Sequence, residues 1–133
     1  MRTLRLILVG VSTLCLTTGA SGASGGASRV SRAFGNTIVS TYPDGRTAEL
    51  WLKADGSYAA EGRRGDGSSG RWAVKGDKLC LKQARPFSAP FSYCTGIPPE
   101  DMSRPWSARA VTGERISVRL VEGRYVGKPR PPS

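Results

Sequence analysis

G-R-W-A-V-K-G-D-K-L-C-L, residues 70–81, alternates apolar and polar side chains on both sides of a Gly-Asp pair. Period-two alternation places successive side chains on opposite faces of a strand, and a two-residue turn with glycine first suits a type II′ hairpin. Built on Gly76-Asp77, the hairpin pairs Lys75 with Lys78, Val74 with Leu79, Ala73 with Cys80 and Trp72 with Leu81. Trp72, Val74, Leu79 and Leu81 then share the inward face, as cross-strand pairing requires. Cys80 falls on the outer face opposite the small Ala73, with room for a second cysteine, so it is expected to be a staple rather than a core residue.

The same pattern continues on either side. N-T-I-V-S-T-Y (36–42), T-A-E-L-W-L-K (47–53) and S-Y-A-A-E-G (57–62) are β-like runs punctuated by Pro43-Asp44-Gly45 and Asp55-Gly56. Downstream, F-S-Y-C-T-G-I (91–97), W-S-A-R-A-V-T (106–112) and R-I-S-V-R-L-V (115–121) read the same way, the last two joined by a turn at Gly113-Glu114. R-R-G-D-G-S-S (63–69) and P-P-E-D-M-S-R-P (98–105) read as loops, and the tripeptide Arg64-Gly65-Asp66 reads as a turn. Short strands at intervals of about 8–12 residues predict an all-β fold. The expectation is a small antiparallel up-and-down meander of seven or eight strands, closing into a barrel over residues 35–123 with one disulfide. Residues 24–34, rich in glycine and serine, are expected to be a flexible leader. Residues 124–133 form a basic, proline-rich tail.

The first 23 residues have the three parts of a secretory signal peptide: a basic start (M-R-T-L-R), an apolar run (L-I-L-V-G-V-S-T-L-C-L) and a small-residue exit. The apolar run is shorter than the roughly 20 residues a spanning helix needs. Cleavage after Ala20 or Ala23 is expected, with an uncleaved anchor as the alternative; no stable membrane span would remain after cleavage. Cys15 leaves with the signal. The remaining pair, Cys80 and Cys94, reads as a disulfide in an oxidising compartment, two free thiols or a redox pair being the alternative. The expected location is the bacterial periplasm or the medium.

Charge limits the partner. The chain carries 20 Lys and Arg against 10 Asp and Glu, and removing Arg2 and Arg5 leaves 18 against 10. Such a field concentrates anionic partners without naming one. Acidic polysaccharide, lipopolysaccharide, anionic lipid head groups or an acidic protein is the expected partner class, with a solvated cationic surface that has no dedicated partner as the alternative. Arg63, Arg64, Arg71, Lys75, Lys78, Lys82 and Arg85 form the candidate surface. Trp51, Tyr58, Tyr93 and Trp106, interleaved with arginine, could stack bases or sugars. Export argues against nucleic acid, and no zinc or RNP-like motif is present.

The chain has no histidine, which removes Ser-His-Asp and Cys-His nucleophilic mechanisms and most zinc sites. No cofactor or metal is expected. Carboxylate pairs, for example Glu49 with Glu61 on adjoining strands, could serve hydrolysis; salt-bridge partners are the simpler reading, and no enzymatic activity is expected.

The stretch 70–81, followed by Cys94 and by Trp106 ahead of T-G-E-R-I-S-V-R-L, resembles the periplasmic metalloprotease inhibitors of Gram-negative bacteria. The resemblance covers residues 70–121 and implies an eight-stranded barrel with one disulfide and an inhibitory N-terminal segment. The strands before Gly70 are additional to that pattern, Cys80 and Cys94 are closer together than it has them, and no inhibitory motif maps onto Ser24–Arg32. The chain is also similar in texture to small exported proteins of proteobacteria. The leading expectation is an exported, non-enzymatic β-domain that binds an anionic macromolecule. A protease inhibitor and a structural envelope protein without a dedicated ligand are the alternatives.

Overall fold

The hairpin at Gly76-Asp77 forms with the four pairs that alternation requires: Lys75 with Lys78, Val74 with Leu79, Ala73 with Cys80 and Trp72 with Leu81. Gly76 adopts the left-handed backbone, φ 60°, that the first position of a type II′ turn demands. These contacts come from a computed structural model of the protein, which describes Gly10 and residues 24–127. The expected signal peptide, Gly10 apart, and residues 128–133 of the tail lie outside the described residues.

Eight strands follow one short helix, α1 (Ser24–Ser31): β1 (Thr37–Thr41), β2 (Thr47–Leu52), β3 (Ser57–Glu61), β4 (Gly67–Lys75), β5 (Lys78–Arg85), β6 (Tyr93–Gly96), β7 (Trp106–Arg109) and β8 (Arg115–Val121). All are antiparallel, in the order β6-β5-β4-β3-β2-β1-β8-β7. The sheet therefore curls so that β1 pairs with β8, and β6 and β7 face each other across a seam without a ladder. The all-β barrel with one disulfide is the observed architecture, and Cys80 and Cys94 sit directly opposite in the β5–β6 register and are bonded.

Four hairpins reuse one turn. In residues 42–46, 53–57, 62–66 and 110–114 the fourth residue is a glycine with φ of 80–86°. Its N–H donates to the carbonyl of the first residue, and the first residue's N–H donates to the carbonyl of the fifth. This is a three-residue loop ending in a left-handed glycine bulge. The turns therefore fix the register of β1–β2, β2–β3, β3–β4 and β7–β8 locally. The sequence 63–69, expected to be loop throughout, is divided: Arg63–Asp66 turn, while Gly67–Ser69 begin β4 and pair with β3. At the break in the β4–β5 register next to Gly70, a methyl on Gly70 would run into the Lys82 carbonyl.

The core lies toward one end of the barrel, where Ile38, Leu52, Tyr58, Leu79 and Val118 pack together under Val30 and Ala33. Val30 and Ala33 come from α1 and the turn after it, which corrects the expectation of a flexible leader over 24–34. Gly26 makes the close approach possible, since a Cβ there would press on Ile97 and Val74. Phe34 stacks tilted on Trp72 with ring centroids 5.6 Å apart, and Arg32 donates to the Glu100 carbonyl. Packing overrides composition here: a Gly- and Ser-rich segment is a poor helix by propensity, but its apolar residues are buried by docking.

The tail is likewise tied down as far as Gly127. Gly123 N–H donates to Asn36 Oδ1 (3.0 Å) and Gly127 N–H to Glu49 Oε1 (2.9 Å). Between them, the Thr37 hydroxyl donates to the Gly123 carbonyl (2.7 Å) and accepts from Trp51 Nε1 and the Tyr125 N–H, both at 2.8 Å. Thr37, Val39, Glu49 and Trp51 face outward from β1 and β2, yet all are buried, because the strap Gly123–Gly127 lies over them. Arg124 covers the Trp51 ring at 4.1 Å and Arg119 lies over Tyr125 at 5.7 Å.

Two outcomes test these links. Replacing both Cys80 and Cys94 by Ala should lower stability by roughly 3 kcal/mol, read as a fall in the urea midpoint. Thr37→Val strands the Trp51 donor and should cost about 1–3 kcal/mol, with trypsin cutting after Arg124 well before the barrel is degraded.

Candidate functional site

Alternation sorts the basic residues. On the outer face of the β4–β5 ladder, Arg71 is opposite Lys82 and Lys75 opposite Lys78, flanking the Ala73–Cys80 pair. At about 3.4 Å of rise per residue, Arg71 to Lys75 spans about 14 Å of strand. Arg85 continues the row toward the other end of β5, opposite Ser69. Like charges placed directly opposite repel, and among the described residues no carboxylate pairs with any of these five; the ion pairs lie elsewhere. Arg71 donates to the Asp55 backbone carbonyl at 3.1 Å, and the Ser57 hydrogen bonds, with the Arg71 charge adding to them, hold the Asp55 carboxyl below its ordinary value. Arg71, Lys75, Lys78, Lys82 and Arg85 are thus one continuous cationic strip.

Arg63 and Arg64 belong to a different place. They sit in the β3–β4 turn at the barrel's open end, together with the β1–β2 turn, the β7–β8 turn and the long β5–β6 loop. Arg63 Nη1 is 3.1 Å from Glu114 Oε2 and 3.6 Å from Asp44 Oδ2, and its guanidinium lies 4.3 Å over the Tyr42 ring. It ties three turns together and its charge is already matched. Arg64 beside it is exposed.

Several sequence expectations change at this level. Trp51 lies beneath the strap and Tyr58 in the core, so neither can stack on a sugar. Glu49 and Glu61 are directly opposite across β2–β3, on the outer face. The Glu49 carboxylate accepts from Thr47 Oγ1 (2.9 Å) as well as from Gly127, which makes it an anchor for the strap. Cys94 does not draw its segment across the outer face: β6 adds edgewise to β5, Tyr93 sits opposite Leu81, and Phe87 and Phe91 stand at the open end. Among the described residues no group of three or more Cys, Asp or Glu could hold a metal ion, and no helix is long and apolar enough to cross a membrane.

That open end leads into a cavity of about 660 Å³ lined by inward side chains of β1–β5 and by the β5–β6 loop. The sequence carries a signal for it that the strand reading passes over: the inward positions of β1 to β4 nearest this end, Ser40, Ala48, Ala60 and Ser68, are all small.

Burial pushes the Tyr42 phenol above its ordinary value, with Arg63 opposing, and burial raises Tyr58. A phenol whose folded pKa is raised stabilises the fold while neutral. That contribution is fully present below about pH 10 and is lost as pH rises through the folded value. The urea midpoint should therefore fall above pH 10, and Tyr42→Phe should flatten the fall.

Compared with family models, curated proteins and solved structures, the chain matches none.

Proposed function

We propose that the protein is an exported, non-enzymatic binding domain that holds an anionic macromolecule, such as an acidic polysaccharide or lipopolysaccharide, along the outer face of β4 and β5. The observation that carries this reading is the strip Arg71, Lys75, Lys78, Lys82 and Arg85, in which cation faces cation and, among the described residues, none is ion-paired to a carboxylate. A row of anionic groups laid on the strip relieves that repulsion, and the hairpin holds the Cα positions of the charges at fixed spacing, so no backbone has to be ordered. The Cys80–Cys94 bond fits an oxidising compartment. Against catalysis stand the absence of histidine and the engagement of Glu49 with the strap.

The inhibitor alternative asks residues 24–32 to engage a protease, while α1 is packed on the barrel end. Inhibition of a secreted metalloprotease by the full chain would displace the present reading.

The test is retention on heparin-agarose. Wild type should elute only at raised salt, since surface charge interactions are screened over about 8–10 Å at 0.1–0.15 M. Lys75→Glu with Lys82→Glu should elute at markedly lower salt. Arg109→Glu with Arg115→Glu, paired on β7–β8, makes the same change of net charge off the strip and should elute close to wild type. Equal losses from the two double variants, or no salt-dependent retention of wild type, defeat the assignment.

A further inference from the structure

We infer that the barrel interior is a binding site for a single-chain anionic amphiphile, its alkyl chain in the cavity and its head group at the open end. This site is separate from the cationic strip and does not depend on it.

Four observations converge. The cavity of about 660 Å³ lies within the 300–1,000 Å³ typical of small-molecule sites. Its walls are predominantly apolar: Ala48, Ala60, Leu50 and Leu81 point inward, yet none is fully buried, so they face open space rather than packed neighbours. Among the described residues no buried side-chain nitrogen or oxygen lacks a hydrogen-bond partner. The polar groups an occupant would meet include the hydroxyls of Ser40, Ser68 and Tyr58 and the Gln83 amide, on a wall that is otherwise mostly apolar, so burial of an alkyl chain there is the larger gain.

The rim carries the third observation. Phe87 is 67 %, Phe91 73 % and Val111 71 % exposed, and all three line the opening. Large apolar side chains gathered in water around an apolar cavity mark a binding entrance. They come from two elements, the β5–β6 loop and the β7–β8 turn, so a chain passing in touches both sides. The fourth is charge. Asp44 and Glu114 are engaged by Arg46 and Arg63, which leaves the exposed Arg64, Arg109 and Arg115 around the opening against Glu61 and Asp66, the two acids of this end that line it. The balance favours an anionic head group.

The full chain would be titrated with decanoate, dodecanoate, dodecyl phosphate and dodecanol. Binding is followed by native mass spectrometry and by displacement of N-phenyl-1-naphthylamine fluorescence. A 1:1 complex is expected, with affinity rising about fourfold per added methylene, so dodecanoate should bind roughly 15-fold more tightly than decanoate. Dodecanoate and dodecyl phosphate should both bind better than dodecanol at low salt; a preference between them tells a carboxylate head from a phosphate one. Ala60→Trp fills the cavity and should abolish the complex while keeping the wild-type circular dichroism. Ala48→Met, a smaller filling, should shorten the longest chain accepted. Lys75→Glu with Lys82→Glu should leave binding unchanged. No 1:1 complex, or undiminished binding by a folded Ala60→Trp protein, overturns the site; equal affinity for dodecanol overturns the anionic head group.

Discussion

Strands β6 and β7 have to meet if the barrel is to exclude water, and they meet without exchanging a ladder of backbone hydrogen bonds. Each is four residues long and held from its other side, β6 by β5 and β7 by β8. Across the seam the Tyr93 hydroxyl donates to the Arg109 carbonyl. Strand edges left to themselves invite pairing with other chains; here they are kept very short and turned toward each other. The disulfide makes this arrangement dependable, because it fixes β6 to the longest hairpin in the molecule and so fixes where the second edge must arrive. The alternation of residues 70–81 thus bears on more than one hairpin: it sets the face on which Cys80 stands and, through Cys94, the position of the closing strand.

Closure at the seam leaves the two ends of the barrel unequal. Toward α1 the inward positions carry Ile38, Leu52, Leu79, Trp72 and Leu120, and the helix adds Val30. Toward the other end β1 to β4 carry Ser40, Ala48, Ala60 and Ser68, while β8 contributes the buried Ile116 and the β5–β6 loop lines the mouth. Small residues around a circumference of fixed radius leave space at the axis. The Arg63 network braces one side of that opening without filling it. The fold therefore separates two tasks, stability at the packed end and access at the open one.

Much of this was legible in the sequence because period two is a local signal. The four pairs of the β4–β5 hairpin, the glycine-first turn, the outward Cys80 and the disulfide all follow from residues within a few positions of one another. What escaped depends on distant partners. Gly67–Ser69 carry no β-branched or apolar residue, and they are strand because β3 supplies a ladder along all three and β5 reaches Ser69. Residues 24–31 show no helical period, and they are helix because the barrel end buries Val30. Trp51 and Glu49 read as exposed on an outer face until residues 123–127, more than 70 positions away, are laid over them. Among the basic residues, alternation along one hairpin collects Arg71, Lys75, Lys78 and Lys82, whereas the matching of Arg63 to Asp44 and Glu114 needs three turns brought together by the closed sheet.

The shared hairpin turn has one more effect. Three of the four connections at the open end, 42–46, 62–66 and 110–114, are three-residue loops whose glycines and backbone hydrogen bonds leave no slack. Only the segment 86–92, between β5 and β6, has length to spare. The breadth of the entrance is consequently adjustable in one place alone. Insertions or exchanges there could retune which molecules are admitted while the disulfide, the braced turns and the packed end stay as they are, which makes this segment the natural point of divergence among proteins built on the same frame and the natural place to graft a new specificity.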